Sequence, residues 1–428
     1  MSDLKYSNTA PINLLIVSIV PFLIWGPFFP DLIISILTLF FLYHVFKNKD
    51  FYYFNNKPLI IFFSFCIISI VCSLLARDIL FSLKSSFFYF RIGIFSCFVW
   101  YLIDKDKSVL NYFYYALVLC FLALVIDGYY QYFNGENLFG FKIIGSRISS
   151  FFGEEQILGS YLSRLFPLLF ALFIIKKKKK YEVYFIGFLF ILVEVLIFVS
   201  GERSAFFFLN LSTIFIIILI KEYQKFRLLT FIIAIVCVTI ISLNSPNLTD
   251  RMILTPAKDM GFITNTNTNT NTNTNTNTNK AVFFSSIHDG YFRTAYNMFL
   301  DKPILGHGPK MFRVLCGDKR YATGVFPCSS HPHNFYLQLL AETGIVGFGF
   351  LFFLFSYIVY ITSRHLKSIV LKKKRYLTDY QVCLLSCLLI TTWPFSPNGG
   401  FFNNWLMIVY SLPIGFYLSS MYSKKSFN

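Results

Sequence analysis

Four of the six histidines in this 428-residue chain, His288, His307, His331 and His333, fall within one long polar segment. An imidazole that starts neutral and takes a proton near pH 7 is the usual general base. In His331-Pro-His333-Asn334, His333 is the candidate base and His331 its alternate; Asn334 also suits the N-cap of a following helix, which would leave His333 a capping or interface residue. The candidate anion-binding groups are Arg203, in Ser200-Gly-Glu-Arg-Ser204, Arg293 and, with less to recommend it, Arg147. A guanidinium fork holds phosphate or diphosphate bidentately. The competing readings are interfacial anchoring or pairing with Glu202 for Arg203, and snorkelling for Arg293. A base together with fixed cations is what displacement of an anionic leaving group needs. The His-x-His spacing also allows a zinc site with His307 or His288, but no cysteine or carboxylate cluster completes one at a recognisable spacing, so no metal is expected.

These residues need a scaffold, and composition says which. Hydrophobic residues make up 56% of the chain and charged residues 14%, against about 25% charged in a soluble domain. The expected fold is an all-α polytopic membrane protein. A bilayer-crossing helix needs about 20 apolar residues, and spans are predicted near 12–28, 31–46, 58–75, 86–103, 109–126, 157–175, 183–199, 204–220, 228–244, 345–361, 381–397 and 404–420. Of these the second is short, and the eleventh, ending in Trp393-Pro-Phe-Ser-Pro-Asn-Gly-Gly400, is expected to break before crossing fully. A net charge of +17 would suggest nucleic acid in a soluble protein. Here it follows the positive-inside rule: the segments taken as inside hold the Lys176 to Lys180 run and the Lys372 to Arg375 cluster, while the short outside loops hold only Arg77, Lys84, Lys142 and Arg147. Both termini are expected on the cytoplasmic side, with no nucleic-acid partner. Arg91 and Glu194 lie inside predicted spans, where ionisable groups pair or face a cavity. They are candidates to pair with each other, or Arg91 to help hold an anion.

The expected organisation is nine spans over 1–244, including an outside loop at 127–156, then a large outside loop at 245–344, then three spans over 345–428. Within the large loop, 264–279 is eight Thr-Asn pairs, with no apolar residue to bury and an expectation of disorder. After it, Phe292, Ala295, Tyr296 and Phe299 fall at helical spacing, which predicts an amphipathic helix lying on the membrane surface. Pro303-Ile-Leu-Gly-His-Gly-Pro309 reads as a glycine-rich turn. Cys316 and Cys328, the only two of nine cysteines outside the predicted spans, suggest a disulfide just ahead of His331 in an oxidising compartment. Glu342 reads as a complement to the N-terminal end of the tenth span rather than as a catalytic group.

The stretch His331-Pro-His-Asn-Phe-Tyr-Leu-Gln-Leu-Leu-Ala-Glu-Thr-Gly344, running into an apolar segment, resembles the signature of the bacterial O-antigen ligase and O-antigen polymerase superfamily. Gly145-Ser-Arg-Ile-Ser-Ser-Phe-Phe-Gly-Glu154, Ser200-Gly-Glu-Arg203 and the Asp301-Lys-Pro-Ile-Leu-Gly306 turn are similar to further parts of that pattern, whereas the Thr-Asn tract departs from it. The resemblance implies a GT-C-like helical glycosyltransferase of the bacterial inner membrane, with a periplasmic site and no cofactor. It implies an undecaprenyl-diphosphate-linked glycan as donor, and as acceptor lipid A-core in a ligase or a lipid-linked glycan in a polymerase. Ligase is slightly preferred. In that scheme Arg203, Arg293 and Arg147 hold the diphosphate and His333 deprotonates the acceptor for inverting attack. A transporter also suits twelve spans, but transporters bind near the midplane between repeated halves, and here the halves share no motif.

Overall fold

The computed structural model describes residues 10–177, 179–260 and 285–423. Over them the regular structure is helical, with two isolated β-bridges, Glu136 with Lys142 and Ile144 with Arg147. Among the described residues nine helices are long and apolar enough to cross a bilayer: Phe28–Asn48, Lys57–Leu74, Ile79–Lys105, Ser108–Asn134, Leu158–Ile175, Lys180–Val199, Gln224–Asn244, Phe335–Val370 and Asn404–Tyr422. Three shorter apolar helices, Ala10–Phe22, Arg203–Leu219 and Asp379–Thr392, occupy the remaining predicted positions. Nine of the twelve predicted spans therefore meet the length and apolarity that crossing requires. The Thr-Asn tract lies outside the described residues.

Prolines account for two of the helix boundaries. The second predicted span is not short: Phe28–Asn48 has 21 residues, because Pro27 sits at its N-cap and Pro30 in its first turn, where the missing N–H costs nothing. The short one is the first, interrupted between Val17 and Ile19. The eleventh stops as expected: Asp379–Thr392 has 14 residues, and Pro394 and Pro397 follow in irregular chain. Of the alternatives left open for Arg91 and Glu194, pairing with each other does not form. Arg91 pairs with Asp31, and Glu194 with Arg227, whose guanidinium also donates to Thr213 and Thr230. In each case the partner sits on a neighbouring helix whose facing could not be read from spacing.

The 158–175 helix is the scaffold's centre. Tyr161, Phe166, Phe170 and Phe173 on it are fully buried, and Phe166, Phe170 and Phe173 pack on Phe190 with ring centroids 4.8 to 6.2 Å apart, within the range where aromatic pairs add to plain burial. By contrast the 224–244 helix turns Leu229, Ile232, Val236 and Ile240 outward, as a lipid-facing helix should.

The tenth predicted span begins earlier than expected, as Phe335–Val370 with a break at Gly344 (φ 64°, ψ −164°), a conformation open essentially to glycine alone. The Pro303 to Pro309 turn packs into that break. His307 N–H donates to Ala341 C=O at 3.0 Å, Gly308 N–H to Glu342 C=O at 2.8 Å, and Ile345 N–H to Pro303 C=O at 2.8 Å. A Cβ on Gly344 would stand 2.2 Å from Ile304 O. Glu342 therefore does not sit at a helix N-terminus: it closes the segment before the break, and its buried carboxylate accepts from Phe312 N–H at 3.1 Å and Gln338 Nε2 at 3.0 Å.

The amphipathic helix runs Ser286–Asp301, but its buried face is Thr294, Ala295 and Met298, set against Met311, Phe312, Leu315 and Ala341. Tyr296 is exposed. The helix docks on protein, so the face it buries is one turned from the stripe predicted for a membrane surface.

Candidate functional site

A cavity of about 1520 Å³ opens where the N-terminal ends of the 158–175, 203–219 and 286–301 helices meet the loop before Phe335. Its wall contains Arg147, Arg164, Arg203 and Arg251, and His288, His331 and His333. Of the predicted site residues, His331, His333, Arg203 and Arg147 are thus brought together. Arg293 is not: its guanidinium pairs with Asp289 at 2.6 Å, one helical turn back, on the exposed face of its helix, and its side chain is 51% exposed. With Thr294, Ala295 and Met298 turned inward, the helix phase carries Arg293 away from the cavity.

The imidazoles form a cluster. His331 and His333 lie with ring centroids 4.1 Å apart, His288 stands 5.6 Å from His333, and Tyr291 stacks on His333 at 5.5 Å. His333 adopts a left-handed backbone (φ 55°), which a non-glycine residue holds only where its surroundings impose it. Asn334 caps the following helix, its Oδ1 accepting from Tyr336 and Leu337 N–H at 3.0 and 3.1 Å, while its Nδ2 donates to Pro394 C=O at 2.8 Å. The cap and the candidate base are therefore adjacent residues with separate tasks, and the capping role falls to Asn334 alone.

Asn398 clasps both histidines through its backbone: its N–H donates to His333 C=O at 2.8 Å, and its C=O lies 3.3 Å from His331 Nε2. A carbonyl can only accept, so His331 carries its proton on Nε2 and offers Nδ1, 2.9 Å from Ser330 Oγ, as the acceptor. His333 Nε2 meets Ser329 Oγ at 3.1 Å. Burial pushes His331 down to about 4, and burial with the neighbouring His331 and His288 pushes His333 down to about 3. Both rings are consequently neutral at pH 7, the state a proton acceptor needs.

Arg164, from the 158–175 helix, lies beneath this cluster. It is 6% exposed, donates to Ile390 C=O at 2.7 Å and Asn398 Oδ1 at 2.9 Å, and lies 4.1 Å from the Phe208 ring centroid and 5.0 Å from that of Tyr410. Arg203 Nε donates to Arg251 C=O at 2.6 Å, and Arg251 in turn donates to the carbonyls of Gly201 at 3.1 Å and Gly145 at 2.9 Å. Arg147 donates to Gln156 Oε1 at 2.8 Å, and its buried Nε finds no acceptor among the described residues. No ion pair joins any of the four to a described carboxylate. Glu202, the partner that the competing reading gave Arg203, instead caps the 158–175 helix. It accepts from Gly159 N–H at 2.5 Å and from Ser160 N–H and Oγ at 3.1 and 2.9 Å, and burial raises its proton affinity against those donors. The cavity wall thus sets four guanidiniums, none in a direct ion pair among the described residues, beside three carboxyl groups, Glu154, Glu155 and Glu202, and the guanidiniums are the groups on it that an anion would meet. Among the described residues no three histidine, cysteine or acidic side chains are grouped as a metal site.

Sequence reasoning missed Arg164, Arg251 and Asn398. For Arg164 the signal existed, since an arginine inside the predicted 157–175 span meets the same criterion that singled out Arg91. His307 stays outside the site, buried with Nε2 3.0 Å from Met298 O. Cys316 and Cys328 are joined as a disulfide, Cα atoms 5.1 Å apart, tying the segment before His331. Residues 186–354 match the model of a family described as O-antigen ligase. No curated protein matches the chain.

Proposed function

Since residues 186–354 belong to the O-antigen ligase-related superfamily, we propose that the chain transfers a glycan from undecaprenyl diphosphate to a sugar hydroxyl of lipid A-core, on the periplasmic side of a bacterial inner membrane. The observation that carries this reading is the convergence of four guanidiniums, none ion-paired to a described carboxylate, with three imidazoles in one cavity. In the proposed step the acceptor hydroxyl oxygen attacks the anomeric carbon opposite the leaving group, the bond from that carbon to the diphosphate oxygen breaks, and the hydroxyl proton passes to His333. Inversion at the anomeric carbon follows from a single displacement. Arg147, Arg164, Arg203 and Arg251 receive the charge that builds on the diphosphate, the role of preorganised donors in any transfer with an anionic leaving group. The bound anion also raises the proton affinity of His333 above its ligand-free level, bringing it toward the range where a general base works. No step is assigned to a metal, because the arginines supply the positive charge.

The test is the lipopolysaccharide of a deletion strain, resolved by size, beside strains complemented with the native gene, His333→Ala and Arg293→Ala. The expected result is bare core with long glycan retained on the lipid carrier in the deletion and His333→Ala strains, and a native pattern with Arg293→Ala. Core bearing a single repeat unit would make the protein a polymerase. An unchanged profile in the deletion strain would remove both.

A further inference from the structure

The turn that follows the 108–134 helix has an apolar, charge-free tip on a charged stem. Leu138-Phe-Gly-Phe141 forms the tip, while Glu136 and Lys142 are bridged across the stem. Leu138 is 56% and Phe139 70% exposed, and Phe133, Phe141 and Ile144 beside them are exposed as well. A contiguous patch of this kind marks a surface that something covers. The backbone of the tip is already closed. Leu138 N–H donates to Asp127 Oδ1 at 2.9 Å, Phe139 and Phe141 N–H to Asn137 Oδ1 at 3.0 and 2.8 Å, and Gly140 N–H to Asn137 C=O at 2.9 Å. Asp127 and Asn137 are buried, and Ser150 holds both: its Oγ donates to Asp127 Oδ2 at 2.6 Å and its C=O accepts from Asn137 Nδ2 at 3.0 Å. Every N–H of the tip thus has an acceptor inside the protein, as a segment entering a lipid phase requires. The carbonyls of Leu138, Phe139 and Gly140 accept no bond among the described residues, so the depth that suits the tip is the headgroup boundary, where water still reaches them.

We propose that this turn dips its Leu138–Phe141 tip into the bilayer leaflet on the cavity's side, setting one lip of the histidine cavity at headgroup depth. Its place in the fold supports this. The turn follows directly on a helix long and apolar enough to cross the membrane. Phe139 and Phe141 line the cavity, and they are braced there: the Phe139 ring centroid lies 5.3 Å from that of Phe151, and a Cβ on Gly153 would stand 3.2 Å from the Phe141 ring. Trp25, exposed and on the same wall, adds a second apolar lip, of the type that sits at headgroup level. A protein partner places no demand on the tip amides, because it can pair with them; a lipid phase does. The insertion does not depend on the proposed reaction. Its meaning for the substrate does: the cavity mouth is then level with the diphosphate of a lipid-linked donor.

The experiment reconstitutes the full-length protein carrying Phe139→Trp, with Leu138→Trp as the second variant should the first fold poorly. The vesicles are phosphatidylcholine brominated either near the glycerol end or near the methyl end of its chains, with iodide on both sides as the aqueous quencher. Leu119→Trp, an exposed position midway along the 108–134 helix, reports contact with the bilayer interior, and the native emission is subtracted from that of each variant. The emission added by Phe139→Trp should be blue-shifted, resist iodide, and lose more intensity to glycerol-end than to methyl-end bromines, placing the tip about 5–10 Å into the headgroup and acyl boundary. Leu119→Trp should show the reverse preference. Added emission that iodide quenches and bromine does not would put the tip in water and overturn the proposal. Protection from both quenchers would mean that protein covers the tip, a second copy or another chain, and would overturn it equally. No substrate enters the measurement, so its outcome is separate from that of the glycan-transfer assignment.

Discussion

Arg164→Met separates a functional guanidinium from a structural one, because the two roles predict opposite outcomes. Arg164 is buried beneath the histidines with two carbonyl acceptors and two rings around it, and no described carboxylate pairs with it. Replacing an unpaired buried charge by an apolar side chain of similar length removes its desolvation cost, on the order of several kcal/mol per ion. Against that, Ile390 C=O and Asn398 Oδ1 each lose a donor, at about 1–3 kcal/mol apiece if left unsatisfied. The two sides offset to within a few kcal/mol, so the thermal midpoint of the purified protein should move little. Activity should not survive in the same way. One preorganised donor withdrawn from a developing oxyanion costs about 2.7–4 kcal/mol of transition-state stabilisation, or about 10²–10³ in rate. The assay is transfer from a lipid-diphosphate-linked glycan by detergent-solubilised protein, normalised to the folded fraction, with Arg164→Lys as the companion. Lysine keeps the charge but not the fork, and an intermediate rate is expected. If Arg164→Met melts far below the native protein while the folded fraction turns over at the native rate, Arg164 is a packing element and the anion site lacks it.

Acid stability and the break at Gly344 can be tested in the same preparation. His331 and His333 are held down at about 4 and about 3, against about 6.5 in an unfolded chain, so between those limits the unfolded chain takes up protons that the folded one refuses. Their contribution is fully present above pH 6.5 and is lost as pH falls from there toward about 3. The native unfolding midpoint should drop over that interval more steeply than that of a His331→Gln and His333→Gln double variant, and parallel slopes would show that these rings do not set it. Gly344→Ala places a Cβ 2.2 Å from Ile304 O at a backbone conformation reserved for glycine, and should cost about 3 kcal/mol or more. It is read as a lowered midpoint and a smaller folded yield; a native melting curve would mean that the turn does not lock the break.

How much of this was legible depends on what each residue's task leaves in the sequence. Apolar runs declare helices by themselves, so all twelve predicted segments coincide with apolar helices, and errors fall at their ends and breaks, as at Pro27, between Val17 and Ile19 and at Gly344. The helical facing of a polar residue is a different matter: Arg91 was placed in a span correctly, yet its partner Asp31 is 60 positions away on another helix, and no period reports which faces meet. Asn398 was invisible for a stronger reason. It holds His331 and His333 with its peptide N–H and C=O, groups that every non-proline residue carries, so no choice of residue type could announce them.

The motif that begins at His331 also proves to be two things overlaid. His331 and His333 face the cavity, whereas Asn334 caps the helix, Gln338 accepts from Phe401 N–H at 2.7 Å while donating to Glu342, and Glu342 and Gly344 seat the Pro303 to Pro309 turn. A stretch read as one signature for chemistry is thus mostly a fixture that holds two imidazoles against an arginine-lined wall. The strained φ of His333 fits that division. The cap on one side and the Asn398 clasp on the other hold the backbone between them, so the ring is positioned by the scaffold before any substrate arrives, as the base proposed for this site would need to be.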